Sequence, residues 1–257
     1  MTSLKNSIVF ITGASSGIGL ACAKAFAREG ARLLIAARRK ERIDTIAAEF
    51  KQLQGVDVYG FEIDVRNQPA VEAAIRNLPK EWQEIDVLVN NAGLSRGIDK
   101  LHDGKLPDWE EMLDTNVKGL LYVSKAVLPG MVVRSRGTVI NIGSIAGHEV
   151  YPGGNVYCAS KHAVDAITKG MRMDYFDTPI RICTVDPGLV ETEFSIVRFR
   201  GDEQRASNVY KGLQPLSPDD VAEAVLFCAT RPPHVQLAEI IILPTAQAST
   251  TLVHRKV

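Results

Sequence analysis

Short apolar runs rich in β-branched residues recur along the chain, each followed by a stretch long enough for a helix. This alternation limits the fold more than any other feature. The runs are S-I-V-F-I-T at 7–12, R-L-L-I-A-A at 32–37, V-D-V-Y-G-F-E-I at 56–63, I-D-V-L-V at 85–89, T-V-I-N-I at 138–142, I-R-I-C-T-V at 180–185 and A-E-I-I-I-L at 238–243. Runs that are mostly continuous rather than alternating predict strands buried on both faces. Strand–helix–strand order predicts parallel pairing through right-handed crossovers. The expected fold is α/β, a Rossmann-type doubly wound parallel sheet flanked by helices, with ligands at the strands' C-terminal ends. No Pro/Ser-rich linker, internal repeat or composition shift interrupts the sequence, so 1–257 is expected to be a single domain.

Composition narrows the function. Lysine plus arginine equals aspartate plus glutamate at 30 each, so no basic excess points to nucleic acid. No apolar run approaches the ~20 residues of a membrane span. The opening M-T-S-L-K-N lacks a signal-peptide core, and Cys22, Cys158, Cys183 and Cys228 are scattered. A cytoplasmic protein with reduced thiols is expected, acting on a small molecule. No His/Cys/carboxylate group has metal-ligand spacing in the sequence, so no metal is expected.

Each strand end carries residues suited to a dinucleotide. After the first comes T-G-A-S-S-G-I-G, Thr12 to Gly19, opening an Ala-rich helix. A pyrophosphate fits such a turn because backbone N–H groups and the helix's positive end converge there. Gly13 allows the turn, Gly17 close approach and Gly19 helix-on-strand packing, with Ser15, Ser16 and Ile18 between them. The second strand ends in Arg38-Arg39 rather than an acidic residue, which favours a 2′-phosphate and hence NADP(H). The third ends in Asp64-Val65; the aspartate would contact the adenine edge or cap the helix starting near Asn67. The fourth ends in Asn90-Asn91-Ala92-Gly93, suited to lie beside a cofactor or to fix a turn.

A long helix is expected from Pro107 to Arg134, kinked at Asn116 and Gly119 with an exposed carbonyl and a bound water. Strand six ends in Asp186-Pro187-Gly188. Residues 189–216 read as a long irregular stretch, a substrate lid, and 244–257 as a polar tail. Between strands five and six, Tyr157 and Lys161 are four apart, which on a helix places both on one face. A neighbouring ammonium lowers a tyrosine's pKa and fits it for general acid/base work. Ser144, at a strand end, would hold a substrate carbonyl or alkoxide oxygen. With that pair in place His148 is not required as a base and reads as a loop or pocket-wall residue.

Taken together, T-G-A-S-S-G-I-G, N-N-A-G, Asn116, Ser144, Tyr157-x-x-x-Lys161 and Pro187-Gly188 resemble the short-chain dehydrogenase/reductase family over essentially the whole chain. The resemblance implies that Tyr157 is the general acid/base and that Lys161 lowers its pKa and binds the nicotinamide ribose. It further implies that Ser144 positions substrate, Asn116 holds a relay water, and Pro187, Gly188, Val190 and Thr192 lie along the nicotinamide. G-N-V-Y-C-A-S-K, the lid sequence D-P-G-L-V-E-T-E-F-S-I-V-R-F-R-G-D and the C-terminal P-P-H-V-Q-L-A-E-I-I-I-L-P-T-A-Q-A-S look like the NADP-dependent 3-hydroxy acid (serine/allo-threonine) dehydrogenases. That likeness implies oxidation of serine-type acids, reduction of malonic semialdehyde and a homotetramer. Arg96 and the loop His148-Glu149-Val150 depart from the pattern.

A 3-hydroxy acid brings a carboxylate, which an arginine binds as a fork. Arg198 and Arg200 in the lid are the expected partners, with Arg96 a further candidate. The alternatives are a broad NADPH-dependent carbonyl reductase and a non-catalytic NADPH-binding sensor.

Overall fold

The computed structural model describes residues 3–256. Seven strands form one sheet in the order β3-β2-β1-β4-β5-β6-β7. They are β1 (Ile8–Thr12), β2 (Arg32–Ala37), β3 (Val58–Glu62), β4 (Ile85–Asn90), β5 (Gly137–Ile142), β6 (Ile180–Pro187) and β7 (Glu239–Ile242). All neighbours pair in parallel; Val9 lies opposite Leu33 on one side and Val87 on the other. Every strand's C-terminal end therefore faces the same edge. The order reverses between β1 and β4, which opens a crevice there.

The continuous apolar runs serve two cores. Along β1, Val9 and Ile11 point to one face, where Phe26 of α1 (Gly17–Arg28), Ile43 of α2 (Lys40–Gln54) and Val225 of α9 (Pro218–Ala229) cover them. Ile8 and Phe10 point to the other. There Val71 of α3 (Gln68–Arg76), Val123 of α5 (Leu120–Val133) and Val164 of α6 (Asn155–Asp174) close the layer. Phe10 and Phe26 are fully buried on opposite faces, and each such side chain contributes about 1.5–3 kcal/mol. Local chemistry sets the helix limits. Asn67 caps α3 by accepting from the Ala70 N–H, Ser217 and Asp220 form a capping box on α9, and Gly55 ends α2 at φ 61°.

Three segments differ from expectation. The helix over 107–134 is two helices, α4 (Leu106–Leu113) and α5, joined by a π-helical turn at Asp114–Gly119. Both ends of the Asn116 carboxamide are bonded outside the helix, and a Cβ on Gly119 would lie 2.6 Å from Val65 Cγ2. The helix widens there to satisfy both constraints. The stretch 189–216 is not irregular. It holds α7 (Glu193–Arg198), capped by Thr192, and α8 (Glu203–Asn208), capped by Asp202, with a bridge between Val190 and Leu216 at its base. The tail folds back through a Gln247–Val253 bridge and is tied to that segment: the Lys256 N–H donates to Gly212 O at 2.7 Å and the Arg255 guanidinium to Val209 O and Lys211 O.

Candidate active site

At the crevice, one side chain joins the ends of β1 and β4. The Asn91 carboxamide donates to Thr12 O at 2.9 Å and Gly13 O at 3.2 Å, while the Thr12 hydroxyl accepts from the N–H groups of Asn91 and Ala92. Asn91 thus fixes the turn with its side chain. Gly13, at φ 66°, and Gly19 lie beneath it. A Cβ on Gly19 would sit 2.5 Å from both Asn91 Nδ2 and Gly13 O, so only glycine lets α1 approach β1 this closely.

Arg39, just past β2, crosses this turn. Its guanidinium donates to Ser15 Oγ at 2.9 Å, to Ser16 Oγ at 2.9 Å and to Glu193 at the start of α7 at 2.9 Å. Arg42 takes the other oxygen of Glu193 at 2.7 Å. Arg38 is half exposed, with Glu111 3.7 Å away. Asp64 neither caps α3 nor stands free. It is paired with Arg66, whose hydrogen bond holds its carboxyl below the usual range.

Ser144, Tyr157 and Lys161 meet where β5 turns into α6, and all three are buried. The extended backbone at Ser144 starts a short 3-10 turn, Ile145–Gly147, and its Oγ accepts from the Ala146 N–H. Lys161 Nζ donates to Ile142 O at 2.9 Å. Burial depresses Lys161 to about 8, with the Asp186 charge opposing. Burial also raises the Tyr157 phenol above its ordinary value; Tyr151 adds to this, and Arg198 and a hydrogen bond with Ser144 work against it. This reverses the expected direction: without a ligand, desolvation outweighs the charges near the ring, and Lys161 Nζ is 6.0 Å from its centre.

Asn116 lies outside the cavity. Its Oδ1 accepts from Leu94 N at 2.8 Å, and its Nδ2 donates to Leu94 O and Ser160 Oγ. The side chain locks the strand-four loop to α6.

These elements enclose one cavity of about 560 Å³, lined by every cofactor-site residue expected from sequence except the packing glycine Gly19. The candidate arginines separate here. Arg198 enters the cavity wall. Its guanidinium carbon lies 5.2–5.8 Å from the ring centres of Phe194, Tyr157 and Tyr151, and it donates to the Tyr151 hydroxyl at 2.8 Å. Its buried Nε has no hydrogen-bond partner. Arg200 is paired with the buried Asp108 away from the cavity. Arg96 is engaged by Glu111 at 2.7 Å and Val197 O at 2.6 Å.

The model of the short chain dehydrogenase family matches residues 7–202. The chain belongs to the short-chain dehydrogenase family. Among its relatives is the NADP-dependent 3-hydroxy acid dehydrogenase of Schizosaccharomyces pombe, 45% identical over 257 residues that cover 100% of this chain and 99% of that one. The protein of the same description from Escherichia coli (strain K12) is 44% identical, covering 97% of this chain and 100% of its own. Among solved structures, the closed form of serine dehydrogenase complexed with NADP+ superposes with TM-score 0.91 at 44% identity, covering 97% and 100% of the two chains.

Other wall residues of this short-chain dehydrogenase escaped sequence reasoning. Tyr151, Tyr210, Gln247 and Thr250 line the cavity. Gln247 accepts from Leu189 N at 2.8 Å, and Glu149 accepts from Thr250 N at 2.8 Å. Local periodicity carries no sign of contacts about 60 and 100 residues apart. The sequence also hides a cluster outside the cavity, where the fold gathers His148, Asp186 and Glu239 from three distant segments.

Proposed function

We propose that this short-chain dehydrogenase transfers hydride between NADP and the carbinol carbon of a small 3-hydroxy acid. The observation that carries the reading is Arg198, a cation with an unpartnered Nε held among three rings in the cavity that also contains Ser144, Tyr157 and Lys161.

The site fits the cofactor on its own chemistry. Two serine hydroxyls and a guanidinium converge at the N-terminus of α1, a donor set for phosphate oxygens. Glu193 already places a carboxylate on Arg39 and Arg42, where a 2′-phosphate would be accommodated. When bound, NADP accepts or gives up the hydride at nicotinamide C4 and in its oxidised form brings positive charge to the site. The remaining work belongs to the chain. Ser144 holds the substrate oxygen, Tyr157 takes the hydroxyl proton in oxidation and returns it in reduction, and the Lys161 ammonium favours the phenolate. Arg198 grips the carboxylate and brings its own charge to the Tyr157 ring. Residues 189–216 act as the lid and 244–256 as the strap that fixes it. Asn116 serves by holding the Leu94 loop and α6 in register.

Two tests follow from these roles. Arg39→Ala lowers kcat/KM for NADP by about 10²-fold, the loss of charge-assisted bonds worth roughly 1.5–3 kcal/mol, and changes the NAD value far less; equal losses would overturn the 2′-phosphate assignment. On a panel of L-serine, L-allo-threonine, 3-hydroxypropionate and their methyl esters, the free acids are preferred. Arg198→Ala raises KM for the acids by about 10–100-fold and barely moves the esters, whereas Arg200→Ala spares the discrimination. Acids and esters turning over alike would instead make the protein a general carbonyl reductase, and NADPH binding without turnover would make it a sensor.

We also propose a cytoplasmic homotetramer. Four buried, unpaired cysteines suit a reducing compartment. Val133, Met173 and Phe176, strongly exposed around the ends of α5 and α6, supply apolar surface for assembly.

A further inference from the structure

Behind the turn that carries Ser144, three side chains converge that hydride transfer does not use. His148 follows the 3-10 turn, Asp186 lies on β6 and Glu239 opens β7. Their ligand-capable atoms all lie within 4.8 Å of one another. His148 Nε2 is 3.3 Å from Asp186 Oδ2 and 3.5 Å from Glu239 Oε1. That nitrogen is buried yet makes no hydrogen bond, so the two carboxylate oxygens flank it without lying on its N–H line. The carboxylates stand at ion-pair distance, but neither is placed to take a well-formed hydrogen bond from the ring. A metal ion accounts for this arrangement. Two donors bound tetrahedrally at about 2.0–2.1 Å stand roughly 3.3 Å apart, with the nitrogen lone pair aimed between its co-ligands rather than at either one.

The surroundings are built for Asp186. The Thr184 hydroxyl donates to its Oδ2 at 2.7 Å and the Ser144 N–H to its Oδ1 at 3.1 Å, which fixes the carboxylate as an outer shell would. A Cβ at Gly143 would collide with Asp186 Oδ1, so the glycine keeps the space open. Glu239 is partly exposed and 3.9 Å from the Lys169 ammonium. A change of rotamer closes it onto the ion while leaving a fourth position for water.

We propose that His148, Asp186 and Glu239 bind one divalent first-row cation, zinc by their donor set. An imidazole with two carboxylates suits zinc or its neighbours better than magnesium or calcium, which take oxygen ligands. None of the three lines the hydride cavity, so the ion braces the Ser144 turn rather than touching substrate. The inference goes beyond the proposed function and stands without it.

The test uses the full chain, stripped with a chelator and titrated with Co²⁺ and then Zn²⁺. Co²⁺ is expected to saturate at one equivalent with the visible absorption of a four-coordinate ion. Zn²⁺ should displace it and raise Tm by roughly 5 °C at saturating concentration. His148→Ala should abolish the spectrum. Glu239→Gln, a conservative change at a partly exposed position, should weaken binding at least tenfold with the fold unchanged by circular dichroism. A folded wild-type protein that gives no saturable spectrum would overturn the proposal and leave His148 as a proton-bearing partner of the carboxylates. An unchanged spectrum in both variants would overturn it as well, by placing the ion on another histidine.

Discussion

Replacing Tyr157 by Phe lowers turnover by about 10²–10⁴-fold and leaves NADPH affinity within a few-fold of its original value. The substitution removes one hydroxyl and keeps the ring. The contacts that position the ring survive: the edge of Phe194 at 5.7 Å, the Arg198 guanidinium at 5.3 Å and the buried apolar shell of Leu94, Ala146 and Cys158. What disappears is the proton donor and acceptor at the substrate oxygen. Ser144 cannot replace it, because an aliphatic hydroxyl is a far weaker acid than a phenol. Single-turnover kinetics combined with a fluorescence titration of NADPH separates the two effects. Retained turnover would remove Tyr157 from the mechanism, and lost NADPH binding would make the defect structural.

Lys161→Met is expected to move activity and stability in opposite directions. Turnover falls by about 10²–10³-fold, since a fixed charge beside the phenol is removed. The fold gains. Burial depresses Lys161 from 10.5 to about 8, so holding the ammonium inside costs about 3 kcal/mol wherever both folded and unfolded chains are protonated. The lost hydrogen bond to Ile142 O offsets about 1 kcal/mol of that, leaving a gain of roughly 2 kcal/mol, or about 4–8 °C in Tm. The pH dependence follows from the direction of the shift. The folded state binds this proton more weakly than the unfolded state, so the cost is complete below pH 8, shrinks as pH rises and is gone above about 10.5. Melting curves of the two proteins should therefore be farthest apart near neutrality and converge in alkali. A variant less stable than the parent at pH 7 would show that the buried ammonium holds the fold together.

The layered sheet and the strand-end location of the site were readable because both follow from local patterns: continuous apolar runs, and glycines or polar residues directly after them. Tyr157 and Lys161 were readable for the same reason, being four apart on one helix. The widened turn at Asn116 was half legible. Two poor helix formers marked the place, but the Leu94 and Ser160 contacts that shape it are set by tertiary packing. Arg198 and Arg200 differ by two residues and were equivalent in sequence; a buried acid on α4, Asp108, decides which one faces away. The burial that raises the Tyr157 phenol was not readable, because spacing reveals a neighbouring charge but not the extent of desolvation. His148, Asp186 and Glu239 share no sequence spacing at all, and only the adjacency of β6 and β7 brings them together.

The cavity wall draws on Gly13 near one end of the chain and Thr250 near the other, with every strand crossover between them. A site assembled from such distant stretches has no autonomous half. Contacts of that separation form slowly and late, so in refolding the return of hydride transfer should trail the return of helical signal. Activity in this protein is then a readout of the last step of folding rather than of its early collapse.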